Sequence, residues 1–238
     1  MGGFLSDLRG ESGFDTCRDD LIVKDVAPAV LRRGLDTYHA WKTGREDAIA
    51  AAQRPSINVM TATAAAATES LVPIGHDIDV TTFAEALAPR RPGGPRFGSL
   101  VHALIADMPL DAPDARTIAR LASAHGRVLG ADAAEIAAAE AIVLRVWQHP
   151  VLQAATRANR DGRCYREMPV TWRTDAGAII EGFVDLAYAD ESGFVVVDFK
   201  TDRELDGVVD RYQRQVRIYA AAIAAATGRP ARAVLMRV

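Results

Sequence analysis

An aspartate and a lysine stand two residues apart at the end of the most apolar segment of the chain, GFVVVDFKTD, which begins at Gly193. The valines and phenylalanines of this segment are typical of a β-strand that is buried on both faces. Side chains two residues apart on a strand point to the same side of a sheet, so Asp198 and Lys200 share a face. Because charges are costly at the end of a buried strand, this pattern predicts a functional patch.

A second carboxylate precedes this strand in EGFVDLAY, where Asp185 lies. The short segment ESG between the two apolar runs predicts a tight hairpin turn, so the two strands should pair in antiparallel orientation. Counting back from a turn centred near Ser192 brings Asp185 roughly opposite Asp198 or Lys200. The sequence therefore predicts two carboxylates and one ammonium group at one patch.

The predicted patch has the groups that phosphodiester hydrolysis requires. Two neighbouring carboxylates repel each other, and a divalent cation such as Mg²⁺ relieves the repulsion. Such a cation also makes a water molecule more acidic and neutralises phosphate oxygens. Lys200 could orient or deprotonate the attacking water, or stabilise negative charge in the transition state. The alternative is a surface ion pair that contributes little, although the apolar run before Asp198 favours a functional role.

Composition limits the other possibilities. The chain has 238 residues and a net charge of -3, so bulk positive charge does not explain any binding to nucleic acid. Two cysteines, Cys17 and Cys164, are too few for a four-cysteine zinc or iron–sulfur site. No apolar run is long enough to span a membrane, and MGGFLSDLRG does not have the pattern of a secretory signal. We therefore expect a soluble cytoplasmic protein without a membrane segment.

The order of the predicted elements indicates an α/β protein. The pattern of residues 20–70 is typical of helices, with breaks near Pro28 and Gly44. Residues 86–98 are rich in proline and glycine, which is typical of a loop. A helix is predicted from Ser99, and two more near 114–127 and 132–149, the last with an Asp cap. Three strands follow residue 164, then a long helix that ends at Gly228, then a final strand. We predict a helical N-terminal arm over 1–90 and one domain over 91–238.

Four segments, GSLVHALIAD, EGFVDLAY, VVVDFKTD and QRQVRIY, occur in an order that resembles a known family. They resemble the RecB-like nuclease domain of the PD-(D/E)XK superfamily, which lies at the C-terminus of UvrD-type helicase–nucleases. The resemblance covers roughly residues 96–238. It implies a restriction-endonuclease-like core, with a mixed central β-sheet flanked by helices. The segment LDTYHAWKTGREDAIAAAQRPSINVMTATAAA loosely resembles the one that joins helicase to nuclease in such enzymes, so 1–90 is expected to be either a helical arm or a helicase-linker-like segment.

The resemblance also implies roles for individual residues. His102 in G-x-x-x-H, Asp185 in G-x-x-D and Asp198 in D-x-K-T correspond to metal ligands, and Asp185 and Asp198 also count as catalytic residues. Lys200 corresponds to the catalytic lysine. The residues that it places along the site are Gln215, Tyr219, Glu167 and Thr201.

The activity that the resemblance implies is metal-dependent hydrolysis of DNA, expected as an exonuclease in recombination or repair beside a helicase. The expected metal is Mg²⁺, with Mn²⁺ possible, and the cysteine count excludes an iron–sulfur cluster of the kind that some relatives hold. Single strands or DNA ends are the expected substrate. The alternative is an inactive domain of the same fold that binds DNA or serves as a scaffold. Arg211, Arg214 and Arg217 on the last long helix form either a solvated face or a contact with DNA phosphate.

Overall fold

The structure is a computed structural model that describes residues 26–68, 78–84, 91–111, 113–202 and 208–238. The chain divides into two compact units between Ser56 and Ile57. In the first unit, helix α1 (Pro28–Ala52) is exposed along its whole length. It begins with a proline, whose fixed φ suits the first turn of a helix. The predicted break at Gly44 was wrong, since the helix continues through this glycine.

The second unit contains six helices and six strands in its described residues. The helices are α2 (Ala62–Ala66), α3 (Pro95–Asp107), α4 (Ala115–Leu129), α5 (Ala133–Trp147), α6 (Pro150–Arg160) and α7 (Val209–Thr227). The strands are β1 (Val59–Thr61), β2 (Val80–Ala84), β3 (Cys164–Arg173), β4 (Ile179–Asp190), β5 (Gly193–Lys200) and β6 (Ala231–Arg237).

The six strands form one mixed sheet. Its order is β1–β4–β5–β6–β2, with β3 paired to β4. The β3–β4 and β4–β5 pairs are antiparallel, and the other three pairs are parallel. Residues 179–181 of β4 pair with both β3 and β1, so β1 and β5 share the same edge of β4. The sheet therefore opens between the end of β5 and the end of β1.

Helices cover both faces of this sheet and bury two cores. The α3–α6 core contains Phe97, Leu100, Leu104, Leu186, Val197 and Phe199 among its members. The α7 core contains Ala65, Ile180, Val184, Val196, Tyr219 and Leu235 among its members. Large side chains such as Leu104 and Phe199 are fully buried, which stabilises the fold by about 1.5–3 kcal/mol for each one. The expected mixed sheet flanked by helices is confirmed.

Helix ends follow the local sequence in most places. Asp132 and Glu135 form a capping box at the start of α5, and Gly228 ends α7 in the left-handed conformation. The prediction that a helix starts at Ser99 was wrong, because α3 begins at Pro95 after the N-cap residue Gly94. Gly94 has a φ of 93°, which glycine adopts without strain.

Several elements were not predicted. The segment 20–70 contains the short strand β1 as well as helices, and β2 and α6 had no counterpart in the prediction. Residues 20–25, 69–70 and 86–90 lie outside the described residues. The division into an arm over 1–90 and a domain over 91–238 stays a prediction. Among the described residues, no helix combines the length and apolar character needed to cross a membrane.

Candidate active site

The site is built where β4 and β5 separate. Their antiparallel ladder extends to the pair Leu186–Val197, and Asp185 and Asp198 are the next residues on the two strands. The backbone N–H of Phe199 donates a hydrogen bond to Asp185 Oδ2 at 2.7 Å, so this carboxylate replaces a backbone partner. The predicted juxtaposition of these aspartates across a hairpin is confirmed.

The side chains of β4 change faces at Asp185. Ile180 and Val184, both at even positions, pack into the α7 core. Leu186 and Tyr188, also at even positions, pack into the α3–α6 core. Regular alternation would keep all four on one face. The strand is therefore locally twisted at Asp185.

Strand β3 changes faces at Glu167, which the flanking register sets opposite Asp185. Cys164 packs against the α3–α6 core, whereas Met168 and Val170 pack against the α7 core. Glu167 has a φ of 46°, a left-handed conformation that costs a non-glycine residue roughly 1–3 kcal/mol. Both twisted positions thus hold a carboxylate at the same level of the sheet.

Three side chains from three elements offer a metal-binding cluster. One ligand atom each of His102 on α3, Glu167 on β3 and Asp185 on β4 lie within 4.8 Å of one another. His102 Nδ1 is 3.3 Å from Asp185 Oδ1. Two carboxylates and one imidazole this close together are donors that a divalent cation accepts in proteins, so the cluster fits such an ion.

The charges of this cluster affect one another. Burial tends to lower the pKa of His102, but its hydrogen bond to Asp185 and that residue's charge raise it overall. Burial and the charge of Asp185 raise the pKa of Glu167. The charge of Asp185 contributes to the raised pKa of both residues, and a cation bound here would offset that charge.

Asp198 and Lys200 form a buried ion pair beside the cluster. Lys200 Nζ is 2.7 Å from Asp198 Oδ2, and the Asp198 side chain is 3% exposed. Burial and then the charge of Asp185 raise the pKa of Asp198 to about 6, although Lys200 acts in the opposite direction. Burial also tends to lower the pKa of Lys200, but Asp198 more than offsets this, so that pKa is raised. Lys200 is therefore an ammonium group at neutral pH and has no lone pair with which to accept a proton.

An aromatic ring holds the other side of Lys200. The Nζ atom lies 4.9 Å from the ring centroid of Tyr212 on α7, a cation–π contact. The Tyr212 hydroxyl donates a hydrogen bond to Asp202 Oδ2 at 2.7 Å. The ammonium group is thus fixed between Asp198 and the Tyr212 ring.

Gln215 and Tyr219 lie on one face of α7, four residues apart. Gln215 Nε2 is 3.0 Å from the Tyr219 hydroxyl and 3.3 Å from Thr63 Oγ1. A Cβ atom at Gly182 would lie 2.6 Å from Tyr219 Cε1, so a glycine is required below this ring. The glycine of G-x-x-D therefore makes room for the tyrosine of Q-x-x-x-Y.

An open cleft of about 440 Å³ leads to Lys200 and His102. Its lining comes from α2, α3, α7 and the segment after β5. The lining residues are Thr63, Pro95, Gly98, Ser99, His102, Lys200, Thr201, Asp202, Arg211, Tyr212 and Gln215.

Arg91 holds the segment after β5 in place. This arginine is 7% exposed, and it donates hydrogen bonds to the carbonyl oxygens of Thr201 at 2.6 Å and Val238 at 2.5 Å. Across the cleft, a Cβ atom at Gly98 would lie 2.9 Å from Thr201 Oγ1. The absence of a side chain at Gly98 allows α3 to approach the strand end that carries Lys200.

The structure brings most of the residues singled out in the sequence to one place. His102, Asp185 and Glu167 form the donor cluster, and Asp198 and Lys200 form the adjoining ion pair. Gln215 and Thr201 line the cleft, while Tyr219 supports Gln215 from behind.

Other residues of the site were not found from the sequence. Tyr212 lies three residues before Gln215 and so shares its helix face, a spacing that could have indicated it. Thr63 and Arg91 lie in segments predicted as helix and as loop, and no spacing signal connects them with the motifs.

A mixed sheet with helices on both faces, and with carboxylates and a lysine where two strands separate, defines a restriction-endonuclease-like nuclease fold. The family model of the PD-(D/E)XK nuclease superfamily matches residues 81–238, about two thirds of the chain. The chain therefore belongs to the PD-(D/E)XK nuclease superfamily, which confirms the resemblance. Nucleases of this superfamily use divalent metals, and the described residues provide a possible site for one.

Two curated relatives are similar over a short segment. Both are named as ATP-dependent helicase/nuclease subunits, one from Clostridium botulinum (strain 657 / Type Ba4) and one from Clostridium botulinum (strain Loch Maree / Type A3). Each is 33% identical over 67 residues, which is 27% of this chain and 5% of the relative. The similarity thus spans a small part of each relative's length.

Proposed function

We propose that this chain is a Mg²⁺-dependent deoxyribonuclease that hydrolyses phosphodiester bonds as an exonuclease. The observation that carries the proposal is the His102–Glu167–Asp185 donor cluster beside the buried Asp198–Lys200 pair. Family membership supports nuclease chemistry, and the hard donors of the cluster favour Mg²⁺, with Mn²⁺ as a substitute. In this proposal His102, Asp185 and Asp198 hold the metal, and Glu167 is an additional ligand.

The bound metal would neutralise phosphate oxygens and lower the pKa of the attacking water. The protein contributes a fixed cation, because Lys200 is held by Asp198 and the Tyr212 ring. As an ammonium group, Lys200 donates a hydrogen bond to a non-bridging oxygen of the scissile phosphate. Charge on that oxygen grows as the oxygen of water attacks phosphorus, so the contact is stronger in the transition state. The attacking water releases a proton to the solvent, the phosphorus–oxygen bond to the leaving group breaks, and the leaving oxygen takes up a proton from the solvent.

The relatives named as helicase/nuclease subunits support a role beside a helicase in recombination or repair. A helicase would deliver one separated strand to the cleft, so single strands and frayed ends are the proposed substrate. The net charge of -3 is consistent with weak, salt-sensitive binding by the isolated chain. A cytoplasmic location stays a prediction from the sequence.

The experiment uses 5′- and 3′-labelled DNA with purified protein in Mg²⁺, Mn²⁺ or EDTA. The substrates are a linear single strand, the same strand closed into a circle, and a blunt duplex. The proposal predicts metal-dependent cleavage of the linear strand, little cleavage of the duplex, and resistance of the circle. Equal cleavage of circle and linear strand would contradict the exonuclease assignment. Binding without cleavage in any metal would favour the inactive domain as the function.

A further inference from the structure

The three arginines of α7 have different surroundings. Arg214 Nε donates a hydrogen bond to the carbonyl oxygen of Ala66 at 2.7 Å, which ties α7 to α2. Arg211 lines the cleft with Lys200, whereas Arg217 is not part of that lining. The three positive charges therefore have separate roles, and only the cleft-lining Arg211 is placed to meet a substrate there.

Arg211 has hydrogen-bonding capacity that the described residues do not use. Its side chain is partly exposed and hydrogen-bonds the Tyr212 side chain, yet its Nε is buried and has no acceptor among the described residues. The guanidinium carbon lies 5.3 Å from the ring centroid of Tyr212. A buried N–H without a partner is unfavourable, so an acceptor supplied by a ligand would be stabilised here.

The surroundings of Arg211 favour an anion. Lys200 and Arg211 contact the same Tyr212 ring at 4.9 and 5.3 Å from its centroid, so their charges are no more than about 10 Å apart. The neighbouring carboxylate, Asp202, already accepts the Tyr212 hydroxyl. The first turn of α3 forms the facing wall, and a helix N-terminus adds potential of the same sign. Arg guanidinium binds phosphate oxygens in a fork that a lysine does not reproduce.

We propose that Arg211 binds the phosphate of the substrate strand that neighbours the scissile phosphate. The inference rests on the proposed function, in which Lys200 contacts the scissile phosphate. It makes a strand with at least two successive phosphates the preferred substrate. A diester with one phosphate would use the Lys200 position and leave the Arg211 position empty.

The test compares two substrates across three variants, Arg211→Gln, Arg211→Lys and Arg217→Gln. The substrates are a labelled single-stranded oligonucleotide and bis(p-nitrophenyl) phosphate, a diester with one phosphate. Arg211→Gln should lower kcat/KM for the oligonucleotide by about tenfold to a hundredfold. This fold reduction in kcat/KM should be at least tenfold larger than the reduction that Arg211→Gln causes with the small diester. Arg211→Lys should recover part of the activity, and Arg217→Gln, on the same helix with the same charge change, should resemble wild type.

Binding in Ca²⁺ gives a second readout that does not depend on cleavage. For the single-stranded oligonucleotide, Arg211→Gln should lower the slope of log Kd against log salt by about 0.7, the value for one lost phosphate contact on a single strand. Equal losses on both substrates would mean that Arg211 supports the site rather than the strand, and would overturn the inference. Equal losses of kcat/KM for the oligonucleotide in Arg211→Gln and Arg217→Gln would also overturn the inference. A wild type that cleaves neither substrate would instead contradict the proposed function, and the Ca²⁺ slope would then decide on Arg211 alone.

Discussion

Asp185 accepts a hydrogen bond from the backbone N–H of Phe199, 2.7 Å across the gap between β4 and β5. A carboxylate thus holds the two strands together at the point where their ladder ends. The same side chain belongs to the donor cluster with His102 and Glu167. Asp185 therefore links the geometry of the sheet to the capacity to bind a metal.

Asp185→Asn should separate these two roles. Asparagine keeps an acceptor for the N–H of Phe199 but removes the negative charge that repels Asp198 on the neighbouring strand. In EDTA the variant should therefore be as stable as wild type or slightly more stable. Mg²⁺ should raise the melting temperature of wild type, because a ligand of the folded state stabilises it by RT ln(1 + [L]/Kd). The melting temperature of the variant should rise much less. Thermal scans at pH 8 in EDTA, Mg²⁺, Mn²⁺ and Ca²⁺ measure both effects.

Asp175→Asn is the matched control, because Asp175 is exposed in the turn between β3 and β4. It should keep the full Mg²⁺-dependent rise in melting temperature. A wild type whose melting temperature responds to no divalent ion would mean that the donor cluster does not bind one.

Gly182→Ala should disturb the site through packing. The new Cβ would lie 2.6 Å from Tyr219 Cε1 and 2.9 Å from its hydroxyl oxygen, so the ring must move away from Gln215. We expect a loss of about 1–3 kcal/mol in the free energy of unfolding, and lower activity. Combining the change with Tyr219→Leu should recover part of the loss, because the two positions touch. Gly44→Ala, with nothing within 4 Å of its Cβ, is the control, and equal effects at both glycines would refute the packing argument.

The turn at the far end of β4 and β5 should give the protein a pH-dependent stability. Burial tends to raise the pKa of Asp190, but hydrogen bonds from Ser192 and Arg232 lower it from 3.8 to about 2 overall. Because the folded pKa lies below the unfolded one, the stabilisation is complete above about pH 4–5 and is lost as the pH falls toward 2. Asp190→Asn should cost about 1 kcal/mol at pH 7, allowing for solvent screening of this partly exposed group.

Urea unfolding between pH 7 and pH 3 measures the difference between wild type and Asp190→Asn, which should shrink as the pH falls. Asp161→Asn, in an exposed ion pair with Arg163, should change stability by less than about 0.5 kcal/mol. If the difference in free energy of unfolding between wild type and Asp190→Asn stays constant over this pH range, the Asp190 carboxylate is not the source of the pH-dependent stability.

Local sequence predicted the strands and helices near the site because their signals are strong and short-range. The apolar run before Asp198, the hairpin turn after Asp190 and Gly228 at the end of α7 each depend on a few adjacent residues. These patterns were also sufficient to predict that Asp185 lies next to Asp198.

The twist at Glu167 and Asp185 could not be predicted in the same way. Period-two alternation assigns each strand to fixed faces, whereas both strands here change faces within one residue pair. The exact position of Glu167 in the donor cluster depends on that twist. Likewise β1 and β2 are held by pairing with β4 and β6, far along the chain, and not by their own composition.

Under the proposed function, the buried Asp198–Lys200 pair and the adjacent donor cluster together catalyse the hydrolysis of phosphodiester bonds. The most direct measurement is the rate of Mg²⁺-dependent cleavage of a linear single-stranded DNA by wild type, Lys200→Met and Lys42→Met. Lys42 is exposed on α1, in the first compact unit, and gives the same charge change. We expect Lys200→Met, shown to be folded by its melting curve, to cleave at least about a hundredfold more slowly, because it has lost a transition-state contact. Lys42→Met should match wild type. Cleavage by folded Lys200→Met at the wild-type rate would mean that Lys200 takes no part in the reaction.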